Sequence, residues 1–309
     1  MRKAVVTGAG GFIGTHLCHA LRDRGWEVAV ITRGPAPAGC ERLPATLATA
    51  DDELAGALDG SEIVFHLAGI AHGQVAGAGE DELRRVNAEG SARVLAAVEA
   101  ARVPAMVWLS SIKVLGETSE RPLRPEDPYR PGDAYARSKV AGERALLDRE
   151  GATRIAVVRP PLVYGPGVAG NFLSLLRWVA HEVPLPVGAA SAPRSMVGVD
   201  NLCSLLLRLA EEGSGVFHVA DARDQSVAEL VRAASALLGV PDRSWRAPLG
   251  LLASVASAFG QRARYTRLFE SLQVDQSMTR ERLGWQPPYD PDEQLEATVR
   301  WFRERRPAT

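Results

Sequence analysis

The run Ala4-Val5-Val6-Thr7-Gly8-Ala9-Gly10-Gly11-Phe12-Ile13-Gly14 decides the fold of this chain. Ala4 to Val6 is a short apolar stretch, the pattern of a buried strand. Gly8, Gly11 and Gly14 follow, and beyond them Leu17, Ala20 and Leu21 recur at helical spacing. Strand, glycine turn and helix, in that order, are the setting of a dinucleotide-binding fingerprint. One glycine permits the tight turn, another lets backbone N–H groups approach a pyrophosphate, and the third lets helix and strand pack closely. The helix N-terminus then turns its partial positive charge toward the phosphates. The spacing is G-x-x-G-x-x-G, so the weight of the reading falls on what surrounds it.

Outward from that turn, Glu27 to Thr32 reads as a second strand, after a turn at Arg24-Gly25. Many dinucleotide sites place an acid near this strand's end to hold the ribose hydroxyls. Here Thr32-Arg33 stands there, and a cation suits a 2′-phosphate better than a free hydroxyl pair. NADP is therefore expected, with NAD as the alternative. Arg42 to Ala50 reads as a weak third strand, followed by Asp51-Asp52, and Glu62 to Leu67 as the fourth. Ala68-Gly69 then lets the backbone pass close to a cofactor. His72 lies just beyond, before a small loop, 73–79, and reads as a loop histidine with no role, with contact to substrate as the alternative. Leu83 to Ala101 reads as a helix containing Asn87, Ala105 to Leu109 as the fifth strand, Tyr135 to Arg149 as a helix and Arg154 to Arg159 as the sixth strand. Strands alternating with helices at this rhythm give a parallel, doubly wound sheet. After Gly167 the rhythm breaks: Phe172 to Val183 is helical, Gly215 to Ala220 is a late strand, and the remainder is helical with Pro and Gly interruptions.

The 309 residues are 46% hydrophobic and 24% charged with net charge near −1, which excludes a disordered chain and gives no global reason to expect nucleic acid. No apolar run is long enough to span a membrane, and the chain enters its first strand directly after Met1-Arg2-Lys3, so neither a signal peptide nor a membrane partner is expected. Cys18, Cys40 and Cys203 are odd in number, without a C-x-x-C pair. They fit a reducing cytoplasm and offer no metal site. His16 and His19 share one helix face and read as packed or surface histidines.

The chemistry sits at Tyr135 and Lys139. Four residues apart on a helix, they share a face. A nearby ammonium stabilises a phenolate and brings the tyrosine toward its working range. Ser111, at the carboxyl end of a strand, can donate a hydrogen bond to a carbonyl or alkoxide oxygen, and open α/β sheets bind ligands at those ends. The chain has three lysines and five tyrosines, so a chance Tyr-x-x-x-Lys behind a Ser-Ser strand end is a rare event.

Gly8, Gly11 and Gly14, Asn87, Ser111, Tyr135 and Lys139, then Arg159-Pro160-Pro161-Leu162-Val163-Tyr164-Gly165-Pro166, together resemble the extended short-chain dehydrogenase/reductase family over nearly the whole chain. The resemblance implies an α/β fold: a Rossmann domain over residues 1–166, with 195–220 returning to it, and a smaller, mainly helical substrate domain over 167–194 and 221–309. It implies a nucleotide-sugar substrate and a homodimer paired through the helices Leu83–Ala101 and Tyr135–Arg149. By position, Asp51 resembles the family's adenine-contacting acid. Phe12, Ile13, Leu67 and Ala68 join the cofactor lining, with Arg33 and Asn87, and Pro161 lies beside the nicotinamide. Lys139 also holds the nicotinamide ribose. Asn171 resembles the residue that meets the sugar-nucleotide diphosphate, and Arg194 and Arg267 its phosphate-binding arginines.

The family's sugar 4,6-dehydratases carry Asp-Glu after the catalytic hydroxyl residue; this chain has Ile112-Lys113, so water loss is not expected. Leu109–Glu117, with HLAGIAH before it and RPPLVYGPGVAGNF after it, is similar to a narrower subgroup that includes UDP-4-keto-6-deoxy-N-acetylglucosamine 4-reductases. The expected activity is NAD(P)H-dependent reduction at C4 of a UDP-linked 6-deoxy-N-acetylhexosamine for bacterial surface polysaccharide. The alternatives are a UDP-sugar 4-epimerase that uses the same residues on retained NAD, and a non-catalytic NADP-sensing regulator, which would have no need of the Tyr135–Lys139 pair.

Overall fold

Residues 2–70 and 79–305 are described in the structure, a computed structural model. His72 and positions 73–78 of its loop lie outside the described residues. Strands β1 (Lys3–Thr7), β2 (Glu27–Ile31), β3 (Glu41–Arg42), β4 (Ile63–His66), β5 (Ala105–Leu109) and β6 (Arg154–Arg159) pair in parallel, and β9 (Gly215–His218) completes a seven-stranded sheet of order β3-β2-β1-β4-β5-β6-β9. Their centres are apolar without alternation because helices cover both faces. Val5 lies between Ala29 and Val64, and residues of alternate parity serve opposite cores.

One core gathers Ala4, Val6, Phe65 and Val107 with Leu17 and Leu21 of α1 (Phe12–Asp23) and Leu202 and Leu206 of α7 (Val199–Glu211). The other gathers Val5, Val64, Met106 and Trp108 under α2 (Asp51–Leu58), α4 (Gly90–Ala100) and α5 (Ala134–Leu147). The chain winds outward from β1 to β3, then crosses back to β4 and winds the other way. The carboxyl ends of β1 and β4 therefore open side by side at the switch point, where such sheets bind ligands.

Leaving β6, the chain forms β7 (Leu162–Tyr164), which pairs in parallel with β8 (Met196–Gly198) in a small second sheet. Around it, α6 (Gly170–Ala180), α8 (Val227–Leu238) and α12 (Pro291–Glu304) enclose a third core that includes Tyr164, Phe172, Leu176, Leu230, Val299 and Phe302. The buried Asp221 carboxylate ties this region together. It accepts the Tyr164 hydroxyl at 2.7 Å, the Gly198 N–H at 2.9 Å and the Asn201 amide at 2.7 Å. The remaining helices are α9 (Leu249–Ala258), α10 (Arg262–Phe269) and α11 (Ser277–Leu283).

Three local readings change. The third strand stops at Arg42 rather than running to Ala50. Pro44 brings no N–H to a ladder, and Thr46 and Thr49 close a turn, with the Thr46 N–H on the Thr49 hydroxyl at 2.8 Å. Asp51, Asp52 and Glu53 then favour the start of α2, because acids in a first turn complement the helix dipole. The helix around Asn87 is not uniform: α3 (Glu80–Arg84) runs through a π-helical turn, Arg85–Glu89, into α4. Among the cysteines, Cys18 and Cys40 come within hydrogen-bonding reach as free thiols, and burial pushes Cys18 up to about 12.

Candidate active site

The glycine turn is built as its spacing implies. Gly8 has φ +72, and a Cβ there would stand 2.7 Å from the Ala68 nitrogen, so the ends of β1 and β4 touch through it. A Cβ on Gly14 would stand 2.3 Å from the Gly8 carbonyl oxygen, which makes Gly14 the residue of close helix–strand packing. Gly11 is the extended N-cap of α1 and carries no side chain over the helix end. The first helical bond of α1 runs from Thr15 N–H to the Gly11 carbonyl, so the N–H groups of Phe12, Ile13 and Gly14 lie ahead of it at the positive end of the helix. Such a turn, with its side chains removed, fits a pyrophosphate. Phe12 packs edge-on against His16, 5.7 Å between centroids, and closes on Gly165 and Gly167. Leu67 and Ala68 follow β4, the Ala68 N–H donating to the Thr7 hydroxyl at 3.2 Å. Arg33 is exposed just beyond β2 and makes no ion pair or hydrogen bond among the described residues.

Ser111, Tyr135 and Lys139 come together at the carboxyl end of β5. Ser111 caps a short 3₁₀ turn, Ile112–Val114, and its hydroxyl is hydrogen-bonded to Tyr135. Asp133 caps α5 by accepting the Ala136 N–H at 2.7 Å, which fixes Tyr135 in the first turn. Burial pushes the Tyr135 phenol up to about 12, against the pull of the Ser111 hydrogen bond. One turn along, the Lys139 ammonium donates to the Leu109 carbonyl at 2.9 Å and lies 4.5 Å from the Trp108 ring centroid. Burial brings it down to about 8, while the carboxylate of Glu143, one further turn along, holds it up.

Asn87 sits fully buried in the π turn. Its Oδ1 accepts the Ile70 N–H at 2.9 Å, and its Nδ2 donates to the Ile70 carbonyl at 3.1 Å and the Ser138 hydroxyl at 3.0 Å. With both amide protons used, its side chain shapes the segment after β4 and holds it against α5. Asp51 is exposed beyond the sheet's edge strand, β3. As the first residue of α2 it pairs with Arg93 of α4, whose guanidinium also binds the Leu47 and Thr49 carbonyls. Pro161 is buried just past β6, and the Pro160 carbonyl receives the Ile112 N–H at 3.0 Å, locking the serine turn to β6.

Lys113 occupies the place of the dehydratase acid pair. Its ammonium lies 2.5 Å from both Asp133 and Glu117 and 6.0 Å from the Tyr135 ring centroid. Farther out, Arg194 donates to the Glu270 carbonyl at 2.5 Å, at the carboxyl end of α10. Burial lowers its pKa, Glu117 raises it and the neighbouring charge of Arg267 lowers it, so the two arginines share one electrostatic site. Asn171 is exposed as the second residue of α6.

A buried polar chain escaped the sequence reading. The Thr7 hydroxyl lies 2.6 Å from His66 Nδ1, and His66 Nε2 lies 3.1 Å from the Ser91 hydroxyl. Ser91 donates to the Asn87 carbonyl at 2.9 Å and receives the Trp108 N–H at 2.9 Å. Since Ser91 spends its one proton on Asn87, His66 must carry its proton on Nε2 and accept from Thr7. Burial first, then Lys139, keep it neutral, at about 3. A second missed group lies beside α5: Glu143 receives Arg159 at 2.6 Å, Ser110 at 2.5 Å and Tyr129 at 2.8 Å. The sequence signal for both groups is polar residues inside otherwise apolar strands.

Comparison with known proteins agrees with the fold. A profile of the NAD dependent epimerase/dehydratase family matches residues 4–220. The chain is 32% identical to a UDP-glucose 4-epimerase of Vibrio cholerae, covering 97% of this chain and 95% of that one. Among solved structures it is similar to MoeE5 in complex with UDP-glucose and NAD, with a TM-score of 0.80 and 26% identity over 98% of this chain and 99% of that one. A UDP-N-acetylglucosamine 4-epimerase from Methanobrevibacter ruminantium M1, in complex with UDP-N-acetylmuramic acid, shares the fold, with a TM-score of 0.80 at 23% identity over 99% of each chain.

Proposed function

From the premise that the chain belongs to the NAD dependent epimerase/dehydratase family, and is an enzyme with a nicotinamide cofactor, we propose that it reduces the 4-keto group of a UDP-linked 6-deoxy-N-acetylhexosamine for surface-polysaccharide synthesis. The observation that carries this reading is the convergence of Ser111, Tyr135 and Lys139 at one strand end, with Lys113 where a dehydratase keeps its acids. The cofactor is NADPH, since Arg33 stands exposed and unpaired at the end of β2; NAD is the alternative. Gly8, Gly11, Phe12, Ile13 and Gly14 would hold its pyrophosphate, Leu67, Ala68 and Pro161 would line it, and Lys139 would hold its nicotinamide ribose.

When bound, the cofactor supplies hydride for C4. Tyr135 gives its phenolic proton to the keto oxygen, so that hydride and proton together make the alcohol. Ser111 donates a hydrogen bond to the same oxygen as charge develops. Lys139 offsets the burial that makes Tyr135 a weak acid, because a cation one helical turn away favours the phenolate. Arg194 and Arg267, with Asn171, would meet the two phosphate charges of the UDP group. The substrate then lies between residues 1–166 with 195–220 and residues 167–194 with 221–309. The enzyme works in the cytoplasm, a reading supported by its three free thiols, and as a homodimer through the helices around Asn87 and Tyr135. A dimer mass by light scattering is the expected result, and a monomer removes that part.

The Vibrio cholerae relative favours a second reading, the UDP-sugar 4-epimerase. One experiment separates the two. The purified protein is examined for bound nicotinamide absorbance, then incubated with NADPH and a panel of UDP-4-keto sugars. An empty site and stoichiometric NADPH consumption support the reductase. Retained nicotinamide, with interconversion of UDP-hexoses and no consumption of NADPH, replaces it with the epimerase.

A further inference from the structure

Helix α9 is unlike every other helix described here. Its sequence, Leu-Gly-Leu-Leu-Ala-Ser-Val-Ala-Ser-Ala, carries no charge, and none of its residues is buried. Leu251 is 60% exposed, Trp245 just before the helix 51% and Phe259 just after it 76%. Within the chain it packs against α10, and Leu249, Leu251 and Val255 stand exposed. A solvated helix that is apolar on all sides, flanked by aromatic residues, is costly in water and calls for an apolar partner.

The charges around it say which partner. Between Asp242 and Glu270 the sequence holds five arginines, at 243, 246, 262, 264 and 267, although the whole chain is slightly acidic; Arg243 pairs with Glu182 and Arg262 with Glu270. Arg246 is exposed and makes no ion pair or hydrogen bond among the described residues. A second copy of the chain is a poor occupant: an isologous contact through α9 would set the excess positive charge of this stretch against itself. A protein groove would cover one stripe, whereas α9 is apolar around its circumference. An anionic lipid surface meets both features. The helix sinks among acyl chains and headgroups, Trp245 and Phe259 sit at the interface, and Arg246 meets lipid phosphate. Ten residues cannot cross a bilayer, and no described helix is long and apolar enough to do so.

We propose that α9, with Trp245 and Phe259 at its ends, docks this protein on an anionic lipid bilayer. The docked face is one helix away from the arginine site, since α10 supplies the Glu270 and Thr266 carbonyls that Arg194 grips. The proposal holds for either reading of the sugar chemistry.

The test is flotation of the full-length protein with vesicles of phosphatidylglycerol and phosphatidylcholine, against vesicles of phosphatidylcholine alone. The wild type should float with the anionic vesicles and lose most of that binding in pure phosphatidylcholine or at high salt. Leu251→Asp, Phe259→Ser and Arg246→Glu replace exposed side chains. Each should keep the circular dichroism and turnover of a soluble substrate while bound protein falls at least about tenfold. Absence of wild-type flotation, equal flotation of the variants, or equal binding to neutral vesicles overturns the proposal. So does a change of oligomer mass in Leu251→Asp, which would make α9 a contact between copies.

Discussion

Tyr135 and Lys139 are displaced in opposite directions by the same cause, burial, which penalises a phenolate and an ammonium alike. In the proposed reaction they act as a pair. Tyr135→Phe keeps the ring and removes the acid, so turnover should fall at least about a hundredfold, with nicotinamide binding retained when measured by fluorescence; near-normal turnover would remove Tyr135 from the reaction. Glu143 acts on the pair at one remove. Its carboxylate holds Lys139 up against burial, so Glu143→Gln should let Lys139 lose its proton at lower pH. The alkaline fall in turnover, expected near pH 8 in the wild type, should then move downward. Leaving Arg159 buried without its partner should also cost about 3–5 kcal/mol, read by denaturant unfolding. Partial recovery of the profile in Glu143→Asp separates the electrostatic role from mere support, and an unmoved profile in Glu143→Gln excludes it. Ser111, Tyr135 and Lys139 were legible because helix spacing and a strand end define them locally. The Thr7–His66–Ser91 chain was not, because its bonds join residues 59 and 25 positions apart, and only sheet register brings those together.

At the scale of elements, the first half of α1 is held by two different means: Gly14 against Gly8 and, two residues on, His16, whose ring reaches the Pro166 carbonyl at 2.7 Å and Asp200 at 3.5 Å. Burial works against an imidazolium there, yet Asp200 and Pro166 outweigh it and His16 is raised above 6.5. A group raised by folding contributes stability that is full below its unfolded value and is lost as pH climbs through the folded one. His16→Gln should therefore lower the melting point more at about pH 6 than at about pH 8.5, with about 1 kcal/mol lost through the Pro166 bond at either pH. An equal loss at both would show that His16 is neutral throughout. Sequence periodicity found the helices and the long strands, since both faces of a covered sheet demand apolar runs. It could not find β7 and β8, three residues each, which exist as strands only because they find one another across an excursion of the chain. Nor could it show that the helix around Asn87 widens into a π turn, since an extra residue per turn leaves the apolar face nearly unbroken.

At the scale of the whole molecule, no described helix is long and apolar enough to cross a membrane, and a short helix lying flat on a bilayer, as proposed for α9, needs no such length. The same scale shows how the chain closes on itself. It leaves the main sheet at β6, builds β7, α6 and β8, and only then supplies α7 and the edge strand β9. Leu17 and Leu21 of α1 share their core with Leu202 and Leu206 of α7, so the cover for the first helix is encoded about 180 residues farther along the protein. On the ribosome, that first helix must wait with a greasy flank bare until most of the polypeptide has emerged. The nascent protein is thus exposed to mispairing for about two-thirds of its synthesis. A fragment ending at residue 166 should aggregate or copurify with chaperones, while the full chain should not; a soluble, monomeric fragment with a cooperative melt would show that α1 finds other shelter while it waits.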